Sequence, residues 1–264
     1  MGKAMAQRNS VIDLSIILPG IRPHKWLKLY ESIVASFSGA FELIFIGPEN
    51  SNDLIKFPNV RFIKDYGSPM RASQIGAVTA QGKILTWAAD DCLYEKGSLD
   101  KAYGKIIGTE YKNVVTGKYT EGENPADWKI QLSYDYQRIN FSYPKTKYVE
   151  DHWLIFNVAL MHNQYFRELG GWDCQFEACP IGHTDLAVRA QRNRSQVFLL
   201  DDKILSCEHM PARSGDHGPV HDAHVEHDEP IYKDIYGSAA CLDRISIDLE
   251  NWRRAPAQWK RRFQ

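Results

Sequence analysis

Between residues 11 and 88 the chain switches repeatedly between two hydrophobic periods, and this alternation constrains the fold more than any other feature. Residues 11–18 (VIDLSIIL) and 41–46 (FELIFI) are short β-branched or aromatic runs, each stopped by Gly or Pro, as buried strands are. Between them, residues 24–37 set Trp26, Leu27, Leu29, Tyr30, Ile33, Val34 and Phe37 at helical spacing. A third strand is predicted at 60–63, a second helix at 70–80 and a fourth strand at 83–88. Strand, helix, strand in this rhythm needs crossover connections, and so an α/β fold with parallel strands.

The pattern then loosens. A helix at 98–107 and a strand at 113–118 precede residues 119–149, which are rich in Tyr, Asn, Pro and charge and read as a loop-and-helix insertion. Regularity returns with a strand at 153–161, a short helix at 163–169, a Gly170-Gly171 turn, a helix at 184–192 and a strand at 197–200. From residue 211 the chain is polar, histidine-rich and finally basic.

Several function classes lose support on composition. With 32 Lys and Arg against 33 Asp and Glu, no global field draws in nucleic acid, and none is expected as a partner. Five cysteines without a CxxC pair argue against a disulfide framework or a cysteine zinc knuckle, and favour a reducing, cytoplasmic setting. The opening MGKAMAQRNS has no apolar core of a signal peptide, and no apolar run reaches the roughly 18 residues of a membrane span.

Two stretches carry chemistry. In WAADDCLY an apolar strand runs straight into Asp90 and Asp91. Ligands of open parallel sheets bind at the carboxyl ends of strands. Two adjacent carboxylates there must protonate, face water or meet a cation. A hard divalent metal opposite a diphosphate suits them, and a solvated pair at a turn is the plain alternative. The second stretch, LGGWDCQFEACPIGHTDLAVRAQ, sets a Gly-Gly turn and an aromatic before a His-Thr-Asp step that opens an amphipathic helix. Taken alone, Thr184 or Asp185 reads as an N-cap.

From residue 14 to about 210 the sequence resembles the family 2 glycosyltransferases, inverting enzymes of the GT-A fold. The resemblance rests on four blocks in order: LSIILPGIRP, FELIFIGPENSND, MRASQIGAVTAQGKILTWAADD, and LGGWDCQFEACPIGHTDLAVRA. It implies a Rossmann-like, mostly parallel central sheet flanked by helices, with a small antiparallel sheet on the acceptor side. One domain would span 1–210, with a nucleotide-binding half (11–93) and an acceptor half (94–210), followed by an extension (211–264).

The resemblance also implies roles. Asp90 would hold Mn²⁺ or Mg²⁺ against the diphosphate of a nucleotide-sugar donor, with His209 in SCEHM completing the metal site, or His217 or His221 in its place. Asp185 would be the general base. Pro19, Gly20, Glu49, Arg71, Ala89 and Asp91 would line the nucleotide. The acceptor would be a glycan or lipid-linked glycan. Three departures stand out: Ala88 replaces the first carboxylate of the Asp-x-Asp motif, Thr184 replaces a Glu, and Gly47, Pro48 and Glu49 replace an acidic loop. Ala88 and Thr184 motivate a rival reading, a nucleotide-sugar binding protein without turnover. A metallo-hydrolase built on His217, His221, Asp222, His224 and His227 is a third, although these lack the spacing of such sites. The same polar tract also reads as a solvated loop or a lid over the donor. The terminal NWRRAPAQWKRRFQ mixes Trp252, Trp259 and Phe263 with Arg and Lys, suiting an anionic membrane surface, the protein body or a second subunit of a homodimer.

Overall fold

The structure, a computed structural model, describes residues 11–121, 138–207 and 215–264. Its first part follows the periodicity closely: strands β1 (Leu14–Pro19), β2 (Phe41–Gly47), β3 (Val60–Lys64) and β4 (Ile84–Trp87) alternate with helices α1 (Trp26–Ser36) and α2 (Pro69–Thr79). There follow β5 (Cys92–Tyr94), α3 (Ser98–Ile107), β6 (Val114–Glu121), α4 (Ile139–Ser142), β7 (Ala159–His162), α5 (Asn163–Glu168), α6 (Cys179–Arg192) and β8 (Val197–Cys207). A last helical stretch joins α7 (Gly218–Asp222), a π-helical turn (Ala223–Asp228) and α8 (Glu229–Gly237).

All eight described strands form one sheet in the order β3-β2-β1-β4-β7-β6-β8-β5. β3, β2, β1 and β4 are mutually parallel, with Leu14 opposite both Phe41 and Ile84. β7 runs antiparallel to β4 and β6, and β5 pairs antiparallel with β8 at the edge. The antiparallel strands expected as a separate acceptor-side sheet are therefore continuous with the main one. Side chains alternate between two apolar layers. Ile17, Ile44, Ile46, Leu85 and Trp87 pack with residues of α2, α5, α6 and α8, while Ile16, Leu18, Leu43, Phe45 and Ile84 pack with α1 and α3. Burial on both faces explains why these strands read as unbroken apolar runs.

Three elements differ from expectation. Helix α6 begins at Cys179, well before Thr184, with Pro180 in its first turn where a missing N–H costs nothing. Thr184 is thus mid-helix and donates its hydroxyl back to the Pro180 carbonyl at 2.8 Å, so neither it nor Asp185 caps the helix. β7 covers only the end of the strand expected at 153–161. β8 continues to Cys207 past a register shift against β6, where Lys118 pairs with Lys203 directly after Gly117 with Leu200, leaving Asp201 and Asp202 out of the ladder. Those two acids end the apolar run, which is why the strand reads shorter in sequence. Of the irregular segment 119–149, residues 122–137 lie outside the described residues. No helix among the described residues is long and apolar enough to cross a membrane.

Candidate active site

Strand order reverses between β1 and β4, and a crevice opens at the carboxyl ends of strands flanking such a switch. A cavity of about 580 Å³ lies there, within the range of small-molecule sites. Its floor comes from Pro19 and Gly20 after β1, Gly47 and Pro48 after β2, and the stretch from Trp87 to Asp91 after β4. A Cβ on Gly47 would stand 1.9 Å from the Gly20 carbonyl oxygen, so glycine is what lets the two strand ends close up. Pro180 and His183 of α6 form one wall, His217, His221 and His224 another, and Trp259, Arg262 and Phe263 a third.

Asp90 and Asp91 both line the cavity, yet they are not equivalent. Asp90 is 2% exposed, and its Oδ2 accepts from the backbone N–H groups of Ile21 (2.8 Å) and Arg22 (2.7 Å) and from the Trp26 indole (3.1 Å). Its Oδ1 accepts from Arg22 Nη1 at 2.5 Å. The Arg22 guanidinium also lies 3.5 Å from Asp91 Oδ2 and donates from Nε to Asp216 Oδ2 at 3.1 Å. The cation met by the acidic pair is therefore an arginine of the chain itself. Burial pushes the Asp91 carboxyl above its ordinary range, Arg22 pulls against this, and Asp90 adds to it.

These residues do not fit a divalent metal held by Asp90. Its Oδ2 already takes three N–H donors and its Oδ1 is held by the Arg22 guanidinium, so a hard cation at Asp90 would stand against that positive charge. His209, expected as the second ligand, lies outside the described residues. The histidines of 217–227 do not gather either: His227 bonds Asp228 at 2.8 Å, His224 faces Glu229 at 3.5 Å, and no three His, Cys, Asp or Glu side chains among the described residues group to hold a metal ion.

Asp185 does not line the cavity, contrary to the role expected of it. It is fully buried, and its Oδ2 accepts from Arg189 Nε at 2.8 Å while Oδ1 accepts from the Tyr236 hydroxyl (2.6 Å) and from Arg244 (3.2 Å from Nη2). Burial alone would raise its pKa, but Arg189, Arg244 and Tyr236 reverse this and hold it below the ordinary carboxylate range. Arg189 in turn donates to the carbonyls of Leu169 and Gly171. This network ties α6 to the Gly-Gly turn and α8. His183, two residues earlier and about 200° away around the helix, is the side chain that meets the cavity. Its ring packs beside the touching Trp87–Trp172 pair, with centroids 5.7 Å from each, and burial lowers its pKa to about 3. The imidazole is therefore neutral at ordinary pH, with one ring nitrogen of acceptor character.

The remaining expected residues divide. Pro19, Gly20 and Ala89 line the cavity, and so does Ala88, a methyl group where a carboxylate was missed. Glu49 is exposed and outside the lining. Arg71 is buried and turned away, donating to Asp65 at 3.2 Å and to the carbonyls of Trp252 and Ala255. It fastens the C-terminal segment instead of facing a ligand. That segment packs on the body: Trp259 is 3% exposed, its backbone N–H donates to the Tyr66 carbonyl at 2.8 Å, and Phe263 meets Tyr66 edge-on at 5.4 Å. Cavity residues missed from sequence are Arg22, Asn157, His183, Asp216 and Arg262. Arg22 stood inside the quoted LPGIRP, and Pro180 was the signal that would have set the helix start and turned His183 inward.

No protein-family model matches the sequence, and no curated protein matches it. Solved structures do. The structure of S. aureus TarS residues 1–349 is similar with a TM-score of 0.60 at 12% identity, covering 92% of this chain and 72% of that one. The same TarS fragment in complex with UDP is similar with a TM-score of 0.56 at 13% identity, covering 88% and 71%. The chain has a GT-A-like fold: a mixed α/β architecture with an eight-stranded sheet flanked by helices.

Proposed function

We propose that the protein is an inverting glycosyltransferase that moves a sugar from a nucleotide-diphosphate donor to a glycan or lipid-linked glycan acceptor. One observation carries the reading: the cavity of about 580 Å³ sits in the crevice between the ends of β1 and β4, where folds of this kind take nucleotides. The fold is shared with TarS, a structure of which holds UDP.

Inversion is a single in-line displacement at the anomeric carbon, and it needs one base beside the incoming hydroxyl. His183 fills that role in this reading, because it is neutral and faces the cavity. As the new C–O bond forms, the hydroxyl proton becomes strongly acidic, so a weak base suffices. Asn157, whose Oδ1 has no hydrogen-bond partner among the described residues, supplies an acceptor for a sugar hydroxyl. Arg22 already neutralises Asp90, so this reading assigns no role to Mn²⁺ or Mg²⁺ at that carboxylate.

A thermal-shift screen of nucleoside diphosphates, followed by hydrolysis of the matching nucleotide sugar, tests the reading. A stabilising shift with slow release of free sugar is expected. Binding with neither hydrolysis nor transfer would favour the non-catalytic binding protein. His183→Gln should lower turnover by about 10²- to 10⁴-fold while nucleotide binding persists. Full activity in that variant would remove His183 as the base.

A further inference from the structure

Arg22 and Arg262 reach the cavity from opposite ends of the chain and meet at one residue, Asp216. Arg22 donates from Nε to the Asp216 carboxylate at 3.1 Å, and Arg262 donates to the Asp216 backbone carbonyl. Asp90 and Asp91 hold Arg22 through Nη1, which leaves its Nη2 without a partner among the described residues. Arg262 lies over the Trp259 ring at 5.6 Å, and among the described residues no carboxylate oxygen is within ion-pair distance of it. Burial pushes its pKa down, partly offset by Asp216 and reinforced by Arg22. Two guanidinium groups thus face one small volume, and their shared partner is a half-exposed side chain, Asp216 at 43%.

We propose that Arg22 and Arg262 form the diphosphate subsite of the cavity, neutralising the donor directly in the place a divalent cation would take, and that Asp216 is an internal anion displaced when the diphosphate enters. The proposal rests on the donor reading above. The planar guanidinium fork matches phosphate oxygens in pairs, and Arg22 is already aimed by its Asp90 contacts. Charge balance requires the displacement: with Asp90, Asp91 and Asp216 all around Arg22, a further dianion would be repelled unless one carboxylate left. Asp216 is the one that can leave, because Asp90 and Asp91 are buried at 2% and 8% exposure.

The test measures binding of inorganic pyrophosphate, UDP, GDP and ADP by calorimetry, in EDTA and in Mn²⁺. It uses residues 1–264 as wild type, Arg262→Gln, Arg262→Lys and Asp216→Asn. Pyrophosphate and one nucleoside diphosphate should bind in EDTA. Arg262→Gln should weaken both by about tenfold or more, the scale of one charge-assisted hydrogen bond. Arg262→Lys should recover part of the loss, and Asp216→Asn should tighten both ligands. Asp216 is half-exposed, so its variant keeps the test decisive if Arg262→Gln folds poorly. Binding that requires Mn²⁺, or that Arg262→Gln and Asp216→Asn leave unchanged, overturns the subsite while the donor reading stands. Pyrophosphate binding without any nucleotide binding does the reverse.

Discussion

His183 and Asp185 stand two positions apart and do opposite work. The His183 pKa falls from 6.5 to about 3 in the folded chain, so between those values the folded state binds fewer protons than the unfolded one. Its contribution to stability is whole above about pH 6.5 and is lost as pH falls toward 3, on the order of 5 kcal/mol over the full shift. His183→Phe keeps an aromatic ring against Trp87 and Trp172 but removes the titrating group, so melting temperature followed against pH should show a flatter acid limb than the wild type. Asp185→Asn should instead act on stability at neutral pH. Breaking one member of a buried ion pair costs roughly 3–5 kcal/mol, a fall in Tm of about 10 °C for a chain of this size. A variant with wild-type Tm and no turnover would return the chemistry to Asp185. Asp90 was legible in sequence because a strand that ends in an acid is conspicuous. Its real partners were not, because two are backbone N–H groups, which leave no trace in residue type, and the other two, the Trp26 indole and the Arg22 guanidinium, lie far away in sequence.

At the scale of elements, legibility followed burial. β1, β2 and β4 are buried along their length and so read as apolar runs; α1 shows its spacing because it presents one stripe, Trp26, Leu29 and Ile33, whereas α2 is buried all round from Met70 to Ala77. β5 is only three residues long, too short for any period to show, and β8 is interrupted where Asp201 and Asp202 leave the ladder. The helical stretch at 218–237 read as polar tract because it covers the cavity with histidines on one side and reaches the core mainly through Tyr232 and Tyr236. On the floor of the cavity, the ends of β1 and β2 approach closely. Gly47→Ala would bring a methyl group against a backbone oxygen that cannot rotate aside. The two strand ends must part, at a cost of about 1–3 kcal/mol, and denaturant unfolding should show a lower midpoint together with weaker nucleotide binding.

At the scale of the whole molecule, the C-terminal segment belongs to the cavity. Arg71 holds the Trp252 and Ala255 carbonyls, Gln74 holds that of Leu249 at 2.8 Å, and Arg261 pairs with Glu177 at 2.8 Å. Trp259, the most buried of its aromatic residues, is turned toward the body, and Trp252 packs against the core. Removing residues 251–264 should therefore lower Tm and abolish nucleotide binding together. In vesicle sedimentation with anionic lipid, equal partitioning of the full and shortened chains is expected; loss of binding on shortening would restore a membrane role for the exposed Arg253, Arg254 and Lys260. None of this packing could be read from a basic, aromatic tail, whose partners Tyr66, Arg71 and Gln74 lie far away in sequence.

The same segment has a consequence for biosynthesis. A ribosome makes the chain from its N-terminal end at about 5–20 residues per second, and early parts of a domain fold first. The floor of the cavity, from Pro19 to Asp91, is therefore complete while the wall that carries Trp259, Arg262 and Phe263 has yet to be made. A nascent chain in that interval has a half-built site; the cavity gains its third wall only after residues 259–263 emerge and dock.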